Sequence, residues 1–484
     1  MKVNLAGFNI DAEILAEDIN YESKTPETIA AAYARISREN KPVDELRKIA
    51  RHDIEKSRQS NKTIVYDMGH NSIAEHAVFN LDIIDVSRLL VEEIESHRLC
   101  SFTEKSQRYV LFEKDFYIPK EFNDDDKNKY IRLVEKQFSF YKNSFPILKK
   151  YFIKQQEKID EKLAENLAKE DARYIIPLST YTQLGMTINA RNLELMIRRL
   201  AESDLLEANE LANKLYNKTY NIAPSLIKYT QPNPVKVGNN KEIKRFLEKF
   251  STTNKHDQRS ITEDLDLSSG SLDITRNILH SLFFTNTKLS TYEIDAIIDK
   301  IPISEIVTIF MFLFHNLEIH DELPREFESY NFTFFLTLSA SCFAQLKRHR
   351  MCTILAQNYD PNLLNIIPDS IICAEDDRVL SEYLNIIDQS RKFYETIQDN
   401  IRNYILPNCT CRRVKLIMNL RSFYHFCRLR LDKHAQWEIR KLAKLMFDDL
   451  LSHGNSNNNF ASLQMICGKD QFYETKNKIY AHVC

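Results

Sequence analysis

Two basic triplets stand 252 residues apart in the 484-residue chain: Ser96-His97-Arg98 and Arg348-His349-Arg350. Each follows an apolar, alternating run (Ala77–Ile84 and Asn331–Leu338) and each is followed two residues on by a Cys. A lone basic triplet usually marks a solvated face or an ion-pair cluster. Two related copies in the same context point to a site. A guanidinium presents a planar fork of donors that suits carboxylate or phosphate oxygens. Around the triplets lie further side chains of the same chemistry: Glu104, Ser106, Gln107 and Arg108 after the first, Gln345 before the second. Asn419 and Arg430 are eleven residues apart, which places them within about 20° on one helix edge. The seven glycines include no GxGxxG and no P-loop, so any nucleotide phosphate here must be held by side chains, chiefly Arg, and by helix N-termini. The nine cysteines are scattered, and only Cys409 and Cys411 are close. A single CxC without a second ligand pair argues against a metal site. Reduced, packed thiols and a cytoplasmic protein are expected.

The elements that must position these residues occur twice. Ile175-Ile176-Pro177 and Asn189-Ala190-Arg191 correspond to Ile405-Leu406-Pro407 and Asn419-Leu420-Arg421, with twelve residues from Pro to Asn in both cases. Repeated motifs in one order with one spacing indicate a duplicated unit. Strand-like alternation precedes each triplet. Amphipathic helices follow: Ala435, Ile439, Leu442, Met446 and Leu450 form one stripe, and Leu205, Leu206, Leu211 and Leu215 another. The class is α+β, helix-rich, with an antiparallel or mixed sheet in each half. The expected division is a first domain at 1–235, a polar linker at 236–275 containing one short helix, and a second domain at 276–484. Formal net charge is -2 and the sequence pI about 6.7, which gives no reason to expect a nucleic acid or an anionic membrane as partner. No apolar run approaches the roughly 18 residues of a membrane span. The acidic N-terminus carries no signal-peptide pattern.

The stretch His97–Tyr109 (HRLCSFTEKSQRY), the segment Gly69–His76 (GHNSIAEH) and the helix pair Asn419–Arg440 together resemble the flavin-dependent thymidylate synthase family, over roughly 30–235 and 320–452. The resemblance implies reductive methylation of deoxyuridylate (dUMP) to thymidylate (dTMP). Methylenetetrahydrofolate would give the one-carbon unit, NAD(P)H the electrons and FAD the hydride transfer. It also implies an assembly of four fold copies with sites shared between neighbours. It further implies a dUMP set of Glu104, Ser106, Gln107, Arg108, Arg173, Gln345, Arg348 and Arg430, with Arg430 catalytic as the cation facing the ring. For FAD it implies His70, Ser72, Glu75, Glu104, Asn189, Arg191, Arg348, His349, Arg350, Asn419, Arg421 and His425.

The two halves depart from the family pattern in opposite ways. The first keeps the loop and Arg173 but has Ser96 for the first Arg of the triplet, Glu93 for Gln, and Leu200 at the place of Arg430. The second keeps Gln345, Arg348 and Arg430, but its loop reads ILAQNYDP, and Asn403 replaces the phosphate-site Arg. One complete set therefore needs both halves, which predicts a homodimer that forms a pseudo-tetramer with two working sites. The alternative is a nucleotide- or flavin-binding pseudoenzyme of the same fold. An RNA-binding protein using the basic triplets ranks third.

Overall fold

The computed structural model describes residues 1–15, 24–155, 159–250, 274–453 and 463–481. Strands Lys2–Phe8 (β1), Val78–Ser87 (β2), Cys100–Glu104 (β3) and Tyr181–Asn189 (β4) form an antiparallel sheet of order β1-β2-β4-β3. Alternation in the sequence becomes two faces. Phe79, Leu81 and Ile83 of β2 and Leu184, Met186 and Ile188 of β4 are buried on the core side. The register shifts once in β2, at Asp85, whose φ of 57° lies in the left-handed region. Asp tolerates that region better than most residues.

Strands Asn331–Ser339 (β5), Thr353–Ala356 (β6) and Cys411–Asn419 (β7) repeat the pattern in a second antiparallel sheet of order β5-β7-β6. Val78 lies opposite Asn189 in the first sheet, and Asn331 lies opposite Asn419 in the second.

Each long strand of the repeat ends in the N-cap of the next helix. Ser87 Oγ accepts from Leu90 N at 3.0 Å and Ser339 Oγ from Cys342 N at 3.1 Å, opening helices Arg88–Glu95 and Ala340–Leu346. Asn189 Oδ1 accepts from Asn192 N at 2.9 Å and Asn419 Oδ1 from Ser422 N at 2.8 Å, opening Ala190–Glu202 and Leu420–Arg430. Each such cap contributes about 1 kcal/mol. The two serines also donate to buried carboxylates on helices Leu206–Thr219 and Trp437–His453: Ser87 to Glu207 at 2.6 Å and Ser339 to Glu438 at 2.5 Å. This buried pair recurs in both copies and is independent support for duplication. Burial raises Glu207 to about 7, opposed by its hydrogen bonds from Ser87 and Tyr404.

The described residues group into two compact units. One takes those of Met1–Lys255 together with Ile367–Asn408, and the other those of His256–Ile366 together with Cys409–Cys484. Division by contact thus assigns residues 367–408 to the first unit, whereas division by repeat keeps them with the second copy. Within the first unit, helix Asp377–Thr396 lies against helix Asp124–Gln155: Gln137 Nε2 donates to Ser390 Oγ at 3.0 Å, and the Phe140 and Tyr383 rings are 5.6 Å apart. The equivalent prolines Pro177 and Pro407 face each other across an antiparallel bridge, with Leu178 N donating to Leu406 O at 2.9 Å.

Some details differ from the sequence expectation. Leu206 opens helix Leu206–Thr219 and is exposed, because a residue in the first turn has little helix beneath it, while Leu211 and Leu215 are buried. Ala435 precedes helix Trp437–His453 rather than lying on it, yet still packs on the core with Ile439, Leu442, Met446 and Leu450. Asn419 is the cap of its helix rather than part of it. The linker helix spans Pro234–Glu248 and buries none of its residues. The remainder of the linker, 251–273, lies outside the described residues. Among the described residues, no helix is long and apolar enough to cross a membrane, and no group of His, Cys, Asp and Glu is placed to hold a metal.

Candidate functional site

The first unit gathers the loop residues after β3 with Arg173. Glu104, the last residue of β3, forms an ion pair with Arg88, the first residue of its helix; both side chains are buried. Arg108 pairs with Glu170, and the backbone oxygen of Glu170 accepts from Arg173 Nε at 3.2 Å. Glu170 thereby fixes two guanidiniums from one helical turn. Ser106 Oγ accepts from Arg108 N at 3.2 Å, which shapes the loop. Gln107 is buried, and its Oε1 accepts from Asn408 Nδ2 at 3.3 Å.

Donors remain over. Arg173 Nη2, Gln107 Nε2 and Arg88 Nε are buried with no hydrogen-bond partner among the described residues. Burying a donor without a partner is costly, so an acceptor bound here would stabilise the cluster. Burial above all weakens Arg173's hold on its proton; the Arg108 and Arg88 cations add to this and Glu170 opposes it. Arg88 also feels Glu95 and Glu92, so the guanidiniums least offset by carboxylates are those of Arg108 and Arg173, which share Glu170.

A second group in the same unit lies on the 3-10 helix Asn71–His76, entered through Gly69 at φ 77°. Glu75 and Arg191 form an ion pair at 2.5 Å, and His70 and Ser72 are exposed beside it. The pair has a counterpart in the other unit. There Arg421 binds Glu328 at 2.9 Å, Leu323 O at 2.6 Å and also Glu322.

The second unit brings Gln345, His349 and Arg430 together. Arg430 Nε donates to His349 Nε2 at 3.0 Å, Nη2 to Gln345 O at 3.1 Å and Nη1 to Gln345 Oε1 at 3.4 Å. Burial first, then the cations of Arg430 and Arg348 and the nearby His425, push the His349 imidazole down to about 3. His349 is therefore neutral, and its Nε2 lone pair accepts from Arg430. His425, 6.2 Å from His349 between ring centroids, is lowered by burial and then by Arg428 and Arg430. Arg348 is exposed, and Arg350 is half-buried.

The equivalent place in the first copy is built differently. Glu93 stands for Gln345; it accepts from Ser203 Oγ at 3.0 Å and is raised to about 6 by burial. His97 is buried and pushed down to about 4 by burial, and its Nε2 has no partner among the described residues. Leu200, at the place of Arg430, is only 1% exposed and belongs to the apolar core.

The model of the thymidylate synthase complementing protein family matches residues 19–225 and 312–452. The chain belongs to this family. Both segments of the thymidylate synthase complementing protein match carry a cluster described above: the loop and Arg173 in one, Gln345 through Arg430 in the other. A flavin-dependent thymidylate synthase of Clostridium tetani is 31% identical over 215 residues, covering 43% of this chain and 84% of that relative. A UPF0159 protein of Thermoplasma acidophilum is 22% identical over 472 residues, covering 87% of this chain and 92% of its own length. Among solved structures, the flavin-dependent thymidylate synthase ThyX of Helicobacter pylori, complexed with FAD and dUMP, is 19% identical at a TM-score of 0.32, covering 47% of this chain and 100% of that one.

Reading the thymidylate synthase complementing protein motifs alone misses three residues of the first cluster: Arg88, Glu170 and Asn408. Arg88 directly follows the N-cap Ser87, and Glu170 lies three residues before Arg173 on one helical face. Those spacings were available in the sequence. The contact of Asn408 with residues 235 and 301 positions earlier left no local signal.

Proposed function

We propose that this chain is a flavin-dependent thymidylate synthase, converting dUMP to dTMP with methylenetetrahydrofolate and NADPH and using FAD. The observation that carries the reading is a difference between the copies. Buried donors stand unmet beside Arg108 in the first, and a guanidinium is held by a neutral histidine in the second.

The phosphate of dUMP is a dianion, and the cluster of Gln107, Arg108 and Arg173 supplies guanidiniums and buried donors for it. The uracil ring gains negative charge as its carbon becomes nucleophilic. A fixed cation aimed at that charge lowers the barrier, because its orientation is set before the reaction. Arg430 is such a cation. Three hydrogen bonds hold it, and the neutral state of His349 lets the imidazole accept from Arg430 instead of repelling it. Both copies are needed for one full set, so the reading includes one working site per chain. A homodimer would supply the family's four fold copies.

The residues also fit FAD. Exposed Arg348 and half-buried Arg350 offer donors to a pyrophosphate, and His70, Ser72 and His425 offer further polar contacts. The Oδ1 atoms of Asn189 and Asn419 are engaged as caps, and their Nδ2 groups are the ends a cofactor would use. When bound, FAD supplies the hydride that NADPH provides.

The test is direct. The purified full chain, reconstituted with FAD, is given NADPH, methylenetetrahydrofolate and dUMP, and dTMP is separated and quantified. Formation of dTMP, with NADPH oxidation that responds to dUMP, is the expected result. Binding of FAD and dUMP without any dTMP would favour the pseudoenzyme and overturn the proposal.

A further inference from the structure

We infer that Asn408 is a positioning residue for the phosphate cluster, contributed by the second copy to the loop of the first; this rests on the dUMP reading above. Asn408 is 2% exposed. Its Nδ2 donates to Gln107 Oε1 at 3.3 Å and to Arg173 O at 3.0 Å, while its backbone N donates to Ile176 O at 3.0 Å. One buried amide thus ties the loop to the 3-10 turn Arg173–Ile175.

Both of these groups keep a buried donor to spare. Asn408 takes the oxygen end of the Gln107 amide and so fixes the direction of its Nε2. It takes the backbone oxygen of Arg173 and so fixes the turn from which the guanidinium extends. Gln107 Nε2 and Arg173 Nη2 then stay unpaired within the described residues and are left for an oxyanion. Nearby charge alone would not set this geometry, because a guanidinium on a long stem has many rotamers and loses its aim when its base moves.

The asymmetry between the copies supports a dedicated role. Asn408 follows Pro407 as Leu178 follows Pro177. Leu178 is fully buried, and a Leu side chain can make neither bond. A polar amide appears at the one of the two equivalent positions that adjoins the intact Glu104–Arg108 loop.

The experiment uses the full chain loaded with FAD. Binding of radiolabelled dUMP is measured by equilibrium dialysis for the parent, Asn408→Leu and Asn408→Ser, alongside steady-state KM and kcat, FAD content and thermal midpoint. Asn408→Leu is expected to raise the dUMP Kd and KM about tenfold, with kcat within about twofold and FAD content unchanged. Asn408→Ser keeps one donor and should fall between. A dUMP Kd within about twofold of the parent in Asn408→Leu overturns the inference while leaving the functional reading intact. Joint loss of FAD, thermal midpoint and dUMP binding in both variants also overturns it, since that is the mark of a purely structural contact. A parent chain that binds no dUMP removes the functional reading and the inference with it.

Discussion

Two places built on the same strand–helix–strand frame now differ in their chemistry. In the second copy, Gln345, His349 and Arg430 form a hydrogen-bonded polar group. In the first, the same positions hold Glu93, His97 and Leu200, and the helix edge has joined the apolar core. The loop after the basic motif shows the reverse. It keeps Glu104, Ser106 and Arg108 in the first copy, whereas Ala356 and Asn358 stand in place of Glu104 and Ser106 in the second. Random decay would strike either copy at any position. Here the residue types absent from one copy are present in the other. The frame itself, with its capped strand ends and buried Ser–Glu pairs, is preserved in both because the packing of each sheet depends on it.

The comparison can be broken most decisively at Arg430. Arg430→Ala should lower dTMP formation by about 10²–10³ while NADPH-driven flavin reduction persists, and Arg199→Ala, beside Leu200 on the first-copy helix, should leave dTMP formation within about twofold. Product formation near the parent level in Arg430→Ala would remove the assignment of the ring cation. The opposite substitution probes stability. Leu200→Ala should cost about 2–5 kcal/mol in unfolding free energy, as a large buried aliphatic cut back to a cavity does. A denaturant titration in which Leu200→Ala and Arg430→Ala destabilise equally would show that the two positions have not diverged.

Arg173→Ala should weaken dUMP binding about 10- to 100-fold, the range for a lost charge-assisted hydrogen bond, with kcat less affected. A rise in KM of less than about threefold would argue that the unpaired donors serve the fold.

The smallest effect concerns pH. His97 and His349 titrate at about 4 and about 3 in the folded chain, against about 6.5 when unfolded. Below about pH 6.5 the unfolded state therefore binds more protons. Their contribution to stability is full above that pH and declines as pH falls towards about 4 for His97 and about 3 for His349. Glu207, raised to about 7, acts in the other direction: its contribution is full below about pH 4.3 and is lost as pH rises through about 7. His97→Gln should make the acid-side fall of the thermal midpoint shallower. An unchanged slope would mean that His97 is not buried neutral.

Much of this was legible in the sequence for physical reasons. Alternation of period two marks strands such as Val78–Ser87, because a half-buried strand must alternate. The two copies are visible because Pro177–Asn189 and Pro407–Asn419 span a turn and a whole strand, which fixes their length. The candidate residues Gln345, His349 and Arg430 do converge, since helices Ala340–Leu346 and Leu420–Arg430 and the turn after the first bring them together. What the sequence hid was pairing without periodicity. Arg108 meets Glu170 across 62 residues, and Gln107 meets Asn408 across 301. The grouping of residues 367–408 with the first unit was hidden for the same reason. No local pattern shows that helix Asp377–Thr396 packs on helix Asp124–Gln155, because both are simply amphipathic.

The most direct test of complementary copies is a count. Saturating the FAD-loaded full chain with labelled dUMP and measuring bound nucleotide against protein concentration should give one dUMP per chain. Two per chain would mean that each copy holds nucleotide by itself, and complementary loss would no longer describe this protein.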